Sequence, residues 1–196
     1  MPARRTSWRS PTLGLAAAAL YGVCAFAQGG PLAERIAQCG ACHGEDGNSK
    51  MENMPSLAGQ PEFFLLNQLV LIREGVRRVD VMTPFVKDLK DPDLEALAKH
   101  YSKLTPKPSG EPIDQALVAR GAEVAATRRC GSCHQPDLSG QEQMPRVAKQ
   151  RIDFLIMTMK AFRDNPRPGA DTLMSGAVAG LTDADLTALA HFAASR

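Results

Sequence analysis

The sequence lacks a large charge of either sign. Its 23 Lys and Arg are balanced by 21 Asp and Glu, for a formal net charge of +2, so it offers no basic field of the kind that nucleic acid requires. It also lacks an apolar run of the roughly 20 residues that a membrane-spanning helix needs. Pro and Gly, at 14 and 16 of 196 residues, are too few and too scattered for a fibrous or disordered chain. No stretch alternates apolar and polar residues with the period of two that marks a half-buried strand. What remains is a globular chain of helical pattern, long enough for one ordinary domain or two small ones at roughly 100–200 residues per domain.

The N-terminal segment, 1–27, carries Arg4, Arg5 and Arg9 and no acidic side chain. An apolar segment from Leu13 to Cys24 follows, then Ala25-Phe26-Ala27 in the small-x-small form of a cleavage site. This is the pattern of a secretory signal peptide, with Gln28 as the new N-terminus. Three rival readings are weaker. The apolar segment is short for an uncleaved membrane anchor, Tyr21-Gly22-Val23 before Cys24 does not resemble a bacterial lipobox, and paired arginines such as Arg4-Arg5 are common outside twin-arginine signals. Cleavage would remove three basic side chains and no acidic one, which leaves the mature chain, 28–196, close to neutral and slightly acidic. Cys24 leaves too, so four cysteines remain in an exported chain, where two disulfides would be the ordinary expectation.

Their spacing argues otherwise. They form Cys39-Gly40-Ala41-Cys42-His43 and Cys130-Gly131-Ser132-Cys133-His134, two copies of C-x-x-C-H, the attachment signature for c-type haem. Two thiols so spaced reach the two vinyl groups on one edge of a porphyrin, and the adjacent His lies under the ring with a nitrogen for the iron. A thioredoxin-like C-x-x-C would follow a strand in a βαβ unit, whereas both motifs follow helical stretches rich in Ala, Glu and Arg. A zinc site could use four cysteines, but the two pairs lie in separate sequence units. The expected cofactors are two covalently bound haem c groups.

Aligning Cys39 with Cys130 exposes a tandem repeat that spans most of the chain. Met54-Pro55-Ser56-Leu57-Ala58-Gly59-Gln60 matches Met144-Pro145-Arg146-Val147-Ala148-Lys149-Gln150, and Phe64-Leu65 matches Phe154-Leu155. Leu89-Lys90-Asp91-Pro92-Asp93-Leu94 matches Leu181-Thr182-Asp183-Ala184-Asp185-Leu186. A Pro-rich stretch separates the units, so the expected organisation is domain 1 at 28–104, a linker at 105–112 and domain 2 at 113–196. Pro31 to Gln38 and Asp114 to Arg129 read as helices leading into the motifs. The segments 61–74 and 151–164 carry apolar residues at helical spacing, and Asp91 and Thr182 read as N-caps of the final helices. Each unit is marginal for an unaided apolar core, and a buried macrocycle would supply much of it.

Two C-x-x-C-H motifs in an exported tandem of small helical units resemble the dihaem cytochromes c of the cytochrome c4 family. The M-P-x-x-A-x-Q segment and the L-x-D-x-D-L-x-x-L-A helix carry the resemblance in both halves, over nearly all of the chain after Ala27. The second half departs from the pattern twice: Gln135 follows its motif where the first half has Gly44, and Lys149 stands where the first has Gly59. The resemblance implies an all-α fold of two tandem cytochrome c-like domains, each around one covalent haem. It implies that the carbonyls of Pro55 and Pro145 accept the Nδ1–H of His43 and His134, which would fix the imidazole tautomers. It also puts the final helices against the helices before the motifs, with Gly30 and Gly121 at the crossings.

Only two Met pairs occupy matching places in the repeat, Met54/Met144 and Met82/Met174. Met54 and Met144 come soon after His43 and His134, and so short a connection stays most easily on the proximal side. Met82 and Met174 come much later, beyond the middle helix and before the last one. That is enough chain to round the ring edge and approach the iron from the other face. The expected axial ligands are therefore His43 with Met82 and His134 with Met174, set against the usual habit of Met as a core residue. His100 and His191 fall in the final helices and read as packing or surface residues. Arg73, Arg77, Arg78, Lys160, Arg163 and Arg167 precede the distal Met residues and fit haem propionates, a docking patch or a solvated face alike.

His/Met ligation fills both axial positions and raises the reduction potential relative to bis-His iron, which suits one-electron transfer and leaves no vacant site for a substrate. The expected function is electron carriage in the periplasm, with redox proteins as partners: a membrane cytochrome complex, a terminal oxidase or a dehydrogenase, with room for peripheral membrane association. An alternative is the dihaem subunit of a larger oxidoreductase, of the flavocytochrome c sulfide dehydrogenase or alcohol dehydrogenase type. A dihaem peroxidase would need one labile or missing Met.

Overall fold

The computed structural model describes residues 1, 31–165 and 172–196; the expected signal peptide (apart from Met1), Gly30 and Arg167 lie outside them. Among the described residues the chain forms nine helices, and its only β pairing is an isolated bridge between Gln141 and Met144. The all-α reading holds.

The first half begins with α1 (Pro31–His43), which opens on Pro, a residue suited to the first helical position, and runs straight through the Cys39–His43 motif. The second half divides the same segment. Asp114 caps α5 (Gln115–Thr127), accepting from the N–H groups of Ala116 at 2.8 Å and Leu117 at 3.3 Å. The helix then stops short of the expected Arg129. Arg129 turns to φ 56°, its N–H bonds the Ala126 carbonyl at 3.1 Å, and the Cys130 N–H bonds the Ala125 carbonyl at 3.0 Å. These two bonds are the Schellman pattern that satisfies the last carbonyls of a helix. The motif continues separately in α6 (Gly131–His134).

The middle helices, α2 (Glu62–Arg73) and α7 (Ile152–Asp164), lie where the apolar spacing puts them. The short α3 (Thr83–Val86) and α8 (Thr172–Val178) adjoin or carry the distal Met residues. The final helices are α4 (Asp91–Ser102) and α9 (Asp183–Ala194). Thr182 caps α9 as expected, exchanging bonds with Asp185 in a capping box. Asp91 does not cap α4. It is the first helical residue, and the bond at this end runs from the Lys90 N–H to Asp93 at 3.1 Å.

In the first half α2 packs on α4 around Leu65, Ile72, Leu94, Leu97 and Tyr101. In the second, α9 packs on both α5 and α7, with Leu155, Leu186, Leu189 and Ala190 at the centre. The segment read as a linker is tied down along its length. Asn48 bonds the Thr105 carbonyl and the Lys107 N–H, Lys50 bonds the Ser109 carbonyl, and Glu111 accepts from the Ile152 and Asp153 N–H groups at the start of α7.

The two halves meet through a repeated handshake of amides. The Ser56 N–H donates to Gln150 Oε1 at 2.8 Å, and Gln150 Nε2 donates back to the Ser56 carbonyl at 2.9 Å. The Arg146 N–H donates to Gln60 Oε1 at 3.0 Å, and Gln60 Nε2 returns to the Arg146 carbonyl at 2.9 Å. Ser56 and Gln60 correspond to Arg146 and Gln150 in the repeat, so one interaction is made twice about a pseudo-twofold axis.

Gln135 shows what the missing glycine after the second motif costs. It sits at φ 72°, ψ 155°, a region almost reserved for glycine and worth about 1–3 kcal/mol of strain for other residues. Gln135→Gly should therefore raise the unfolding free energy by about 1 kcal/mol after glycine's greater unfolded-state entropy is counted. A denaturant titration reads this directly, and an unchanged midpoint would refute it.

Candidate haem sites

Helix α1 carries Cys39, Cys42 and His43 at its C-terminal end; in the second half Cys130 stands just before α6, which holds Cys133 and His134. None of the four cysteines is in a disulfide. His43 is 4% exposed, and its Nδ1 lies 2.8 Å from the Pro55 carbonyl oxygen. His134 repeats this on the Pro145 carbonyl at 2.8 Å. A carbonyl can only accept, so Nδ1 is the donor in both rings and Nε2 is the nitrogen left to a metal. The Nε2 of His43 is buried with no partner among the described residues. Burial pushes the His43 pKa down against the opposing pull of the Pro55 bond, so the ring is neutral and ready to ligate a metal.

Both imidazoles open onto one cavity of about 1080 Å³ that runs through the junction of the two halves. Cys39, Met82, Cys130, Cys133 and Met174 line it with them; Cys42, half-buried beside His43, does not. Met82 stands at the N-cap of α3 against the first core, and Met174 within α8 against the second. Met54 and Met144 also reach the cavity wall, each next to the proline that holds the imidazole. The buried orphan nitrogen, the thiols and the thioethers around an apolar chamber fit a covalent haem in each half.

Other residues of the site carried no sign of their role in the sequence. Ser49, fully buried, bonds the Cys42 carbonyl at 3.0 Å, and its own N–H donates to Ser56 Oγ at 3.1 Å, fixing the loop from His43 to Pro55. Tyr101, 3% exposed, stands by Cys39 on the cavity wall, and burial pushes its hydroxyl pKa up. Gln60, Gln150 and Arg146 occupy the junction. The repeat displayed Gln60 and Gln150 as a matched pair, but nothing local told what they bond.

The basic residues divide. Arg73 and its counterpart Arg163 donate to the carbonyls of Leu89 at 3.2 Å and Leu181 at 2.9 Å, and pair with Asp91 and Asp183 respectively. Lys160 joins Asp183 at 2.6 Å. These side chains latch the middle helices to the starts of the final ones. Arg77 bonds Gln68 at 2.6 Å. Of the two other histidines, His191 accepts the Asp114 N–H at 3.2 Å, and His100 packs edge-on to Tyr101.

Known proteins share this arrangement. The family described as "Cytochrome c" matches residues 118–195, and that described as "Cytochrome C oxidase, cbb3-type, subunit III" matches residues 25–100. Cytochrome c4 of Pseudomonas aeruginosa is 34% identical over 169 residues, covering 81% of this chain and 83% of its own length. The chain belongs to the cytochrome c4 family. A crystal structure of reduced recombinant cytochrome c4 from Pseudomonas stutzeri superposes with a TM-score of 0.77 at 32% identity, over 84% of this chain and 96% of that one. A protein of Thiomonas intermedia named thiosulfate dehydrogenase electron acceptor is 34% identical over 173 residues, 82% of this chain and 79% of its own. As a member of the cytochrome c4 family the chain comprises two cytochrome c domains, binds two covalent haem c groups and is a dihaem electron carrier working between redox proteins. Among its described residues no helix is long and apolar enough to cross a membrane.

Proposed function

We propose that Cys39 and Cys42 attach one haem and Cys130 and Cys133 the other, with His43 and Met82 as axial ligands of the first iron and His134 and Met174 of the second. In the same reading the mature protein starts after a signal peptide at 1–27, its domains occupy 28–104 and 113–196 about the segment 105–112, and it shuttles single electrons between respiratory partners in the periplasm. The observation that carries this reading is the pair of Nδ1–proline carbonyl bonds, 2.8 Å in each half, which hold both imidazoles on the wall of a chamber that Met82 and Met174 also line. His/Met-ligated haem supplies a one-electron iron couple that needs no change of ligand. The chain's part would be to orient each imidazole through Pro55 and Pro145, to offer the thioethers of Met82 and Met174 to the iron, and to keep water from the chamber with apolar walls.

The test is denaturing mass spectrometry of protein from a periplasm with haem-maturation machinery. The expected mass is that of the chain 28–196 plus two haems, with no free thiol. Two disulfides instead, or haem lost to acid-acetone, would end this assignment. A second reading is favoured by the likeness to the Thiomonas intermedia acceptor: this chain then receives electrons inside a thiosulfate-oxidising complex. Reduction by a thiosulfate-oxidising dehydrogenase that co-purifies with it would select this reading, and purification as a free carrier would exclude it.

A further inference from the structure

The handshake between the halves is symmetric in its backbone bonds and asymmetric in charge. Where the first half places neutral Ser56, the second places Arg146. Arg146 is 3% exposed. Its Nε donates to the Ala58 carbonyl at 3.1 Å and its Nη1 to the Ala148 carbonyl, so the guanidinium lies across the junction, while Nη2 is buried without any partner among the described residues. No Asp or Glu among those residues pairs with it. Arg151, almost as buried, is by contrast paired with Asp153 and Glu111. Burial pushes the Arg146 pKa down to about 10, which leaves it charged at neutral pH. A buried guanidinium with neither counter-ion nor full hydrogen bonding is strongly unfavourable, and a fold retains one where an anion completes it.

The anion has a ready source. Arg146 lines the haem cavity and follows directly on Pro145, whose carbonyl holds His134. The only anionic substituents of a haem are its two propionates, on the edge away from the vinyl groups that the cysteines take. Resting on the haem assignment above, we infer that Arg146 Nη2 donates to a propionate of the haem attached at Cys130 and Cys133, and that this charge raises the reduction potential of that haem above the value the pocket would otherwise give. The sign follows from Coulomb's law: a fixed positive charge in a low-dielectric site favours the ferrous state, which carries one positive charge fewer. Arg146 is thus a positioning and tuning residue, and the first half has no counterpart to it.

Redox titration of the full-length dihaem protein tests this, with the two couples assigned from their haem methyl signals by NMR. Arg146→Gln should lower the potential of the second haem by at least a tenfold change in its reduced-to-oxidised ratio, about 59 mV for one electron, and leave the first haem less affected. Arg146→Met, apolar and of similar length, should do the same without leaving a polar group buried, should the Gln variant fold poorly. Arg146→Lys, which keeps the charge, should recover at least half of the shift. Arg120→Gln removes an exposed guanidinium that pairs with Asp185 away from the cavity lining, and should leave the second potential unchanged. Unchanged potentials in both neutral variants would overturn the inference, as would a fall at the first haem alone, or a fall in Arg120→Gln equal to that in Arg146→Gln. The haem count of the parent protein stands apart from these outcomes, so a failure of the haem assignment shows itself separately.

Discussion

Met82→Ala should convert the first haem, and only the first, to a partly high-spin form that binds cyanide or carbon monoxide, and Met174→Ala should do the same to the second. The thioether is a soft ligand that favours ferrous iron, so its loss should also lower the potential of the affected haem by two decades or more in the reduced-to-oxidised ratio, about 120 mV at about 59 mV per decade. Both Met residues line the cavity at short helices reached after the chain has passed the middle helix. Met54 lines it too, but stands beside Pro55, the residue that holds His43. Met54→Ala should therefore leave both irons six-coordinate. Optical spectra decide the matter. A high-spin spectrum from Met54→Ala, with the sulfur-to-iron charge-transfer band surviving in Met82→Ala, reverses the assignment in both halves.

Gly121→Ala should strongly destabilise the second half. A Cβ built on Gly121 falls 2.1 Å from the Ala188 carbonyl oxygen and 2.7 Å from Phe192 Cβ. The atoms it meets belong to the backbone and the base of a side chain on α9, so no rotamer can move aside. Helices α5 and α9 must separate, which opens the packing around Leu186, Leu189 and Ala190. Overpacking typically costs about 1–3 kcal/mol, and a clash with helix backbone belongs at the upper end. A loss of about 3 kcal/mol lowers the melting midpoint by more than about 10 °C in a domain of this size. Gly176, inside α8 with nothing within 4 Å of a built Cβ, is the control: Gly176→Ala should be neutral or stabilising by up to about 1 kcal/mol. Equal effects at the two glycines would show that the α5–α9 crossing relaxes freely.

Much of this protein is legible in one dimension because its chemistry and its periodicities are local. The C-x-x-C-H motifs name their cofactor through the reach of two thiols and an adjacent imidazole. The middle and final helices show apolar residues at helical spacing, and the Thr182 cap sits one turn before its Asp185 partner. Sequence and structure part at the helix ends. Asp91 is a first helical residue instead of a cap, and α5 closes early because Arg129 adopts a left-handed turn that satisfies the last carbonyls. The short α3 and α8 span too few residues for any period to register.

Two haem-attachment motifs, a duplicated helical unit and the order of its helices follow from the amino-acid order alone, since each is read from residue types at fixed spacings along the chain. What the matched segments do to each other needed the folded chain. Gln60 meets Arg146 and Gln150 meets Ser56 across 86 and 94 residues of chain, and a repeat in sequence carries no information on whether its copies touch. The Pro-rich stretch from 105 to 112 resembles a free linker in composition, yet Asn48 and Lys50 of the first half bind it down, and its own Glu111 reaches the start of α7 in the second. Arg73 and Arg163, solvated or docking charges on paper, close onto carbonyls 16 and 18 residues away. In each case the partner is a backbone group or a distant side chain, and a backbone carbonyl has the same sequence signature wherever it points.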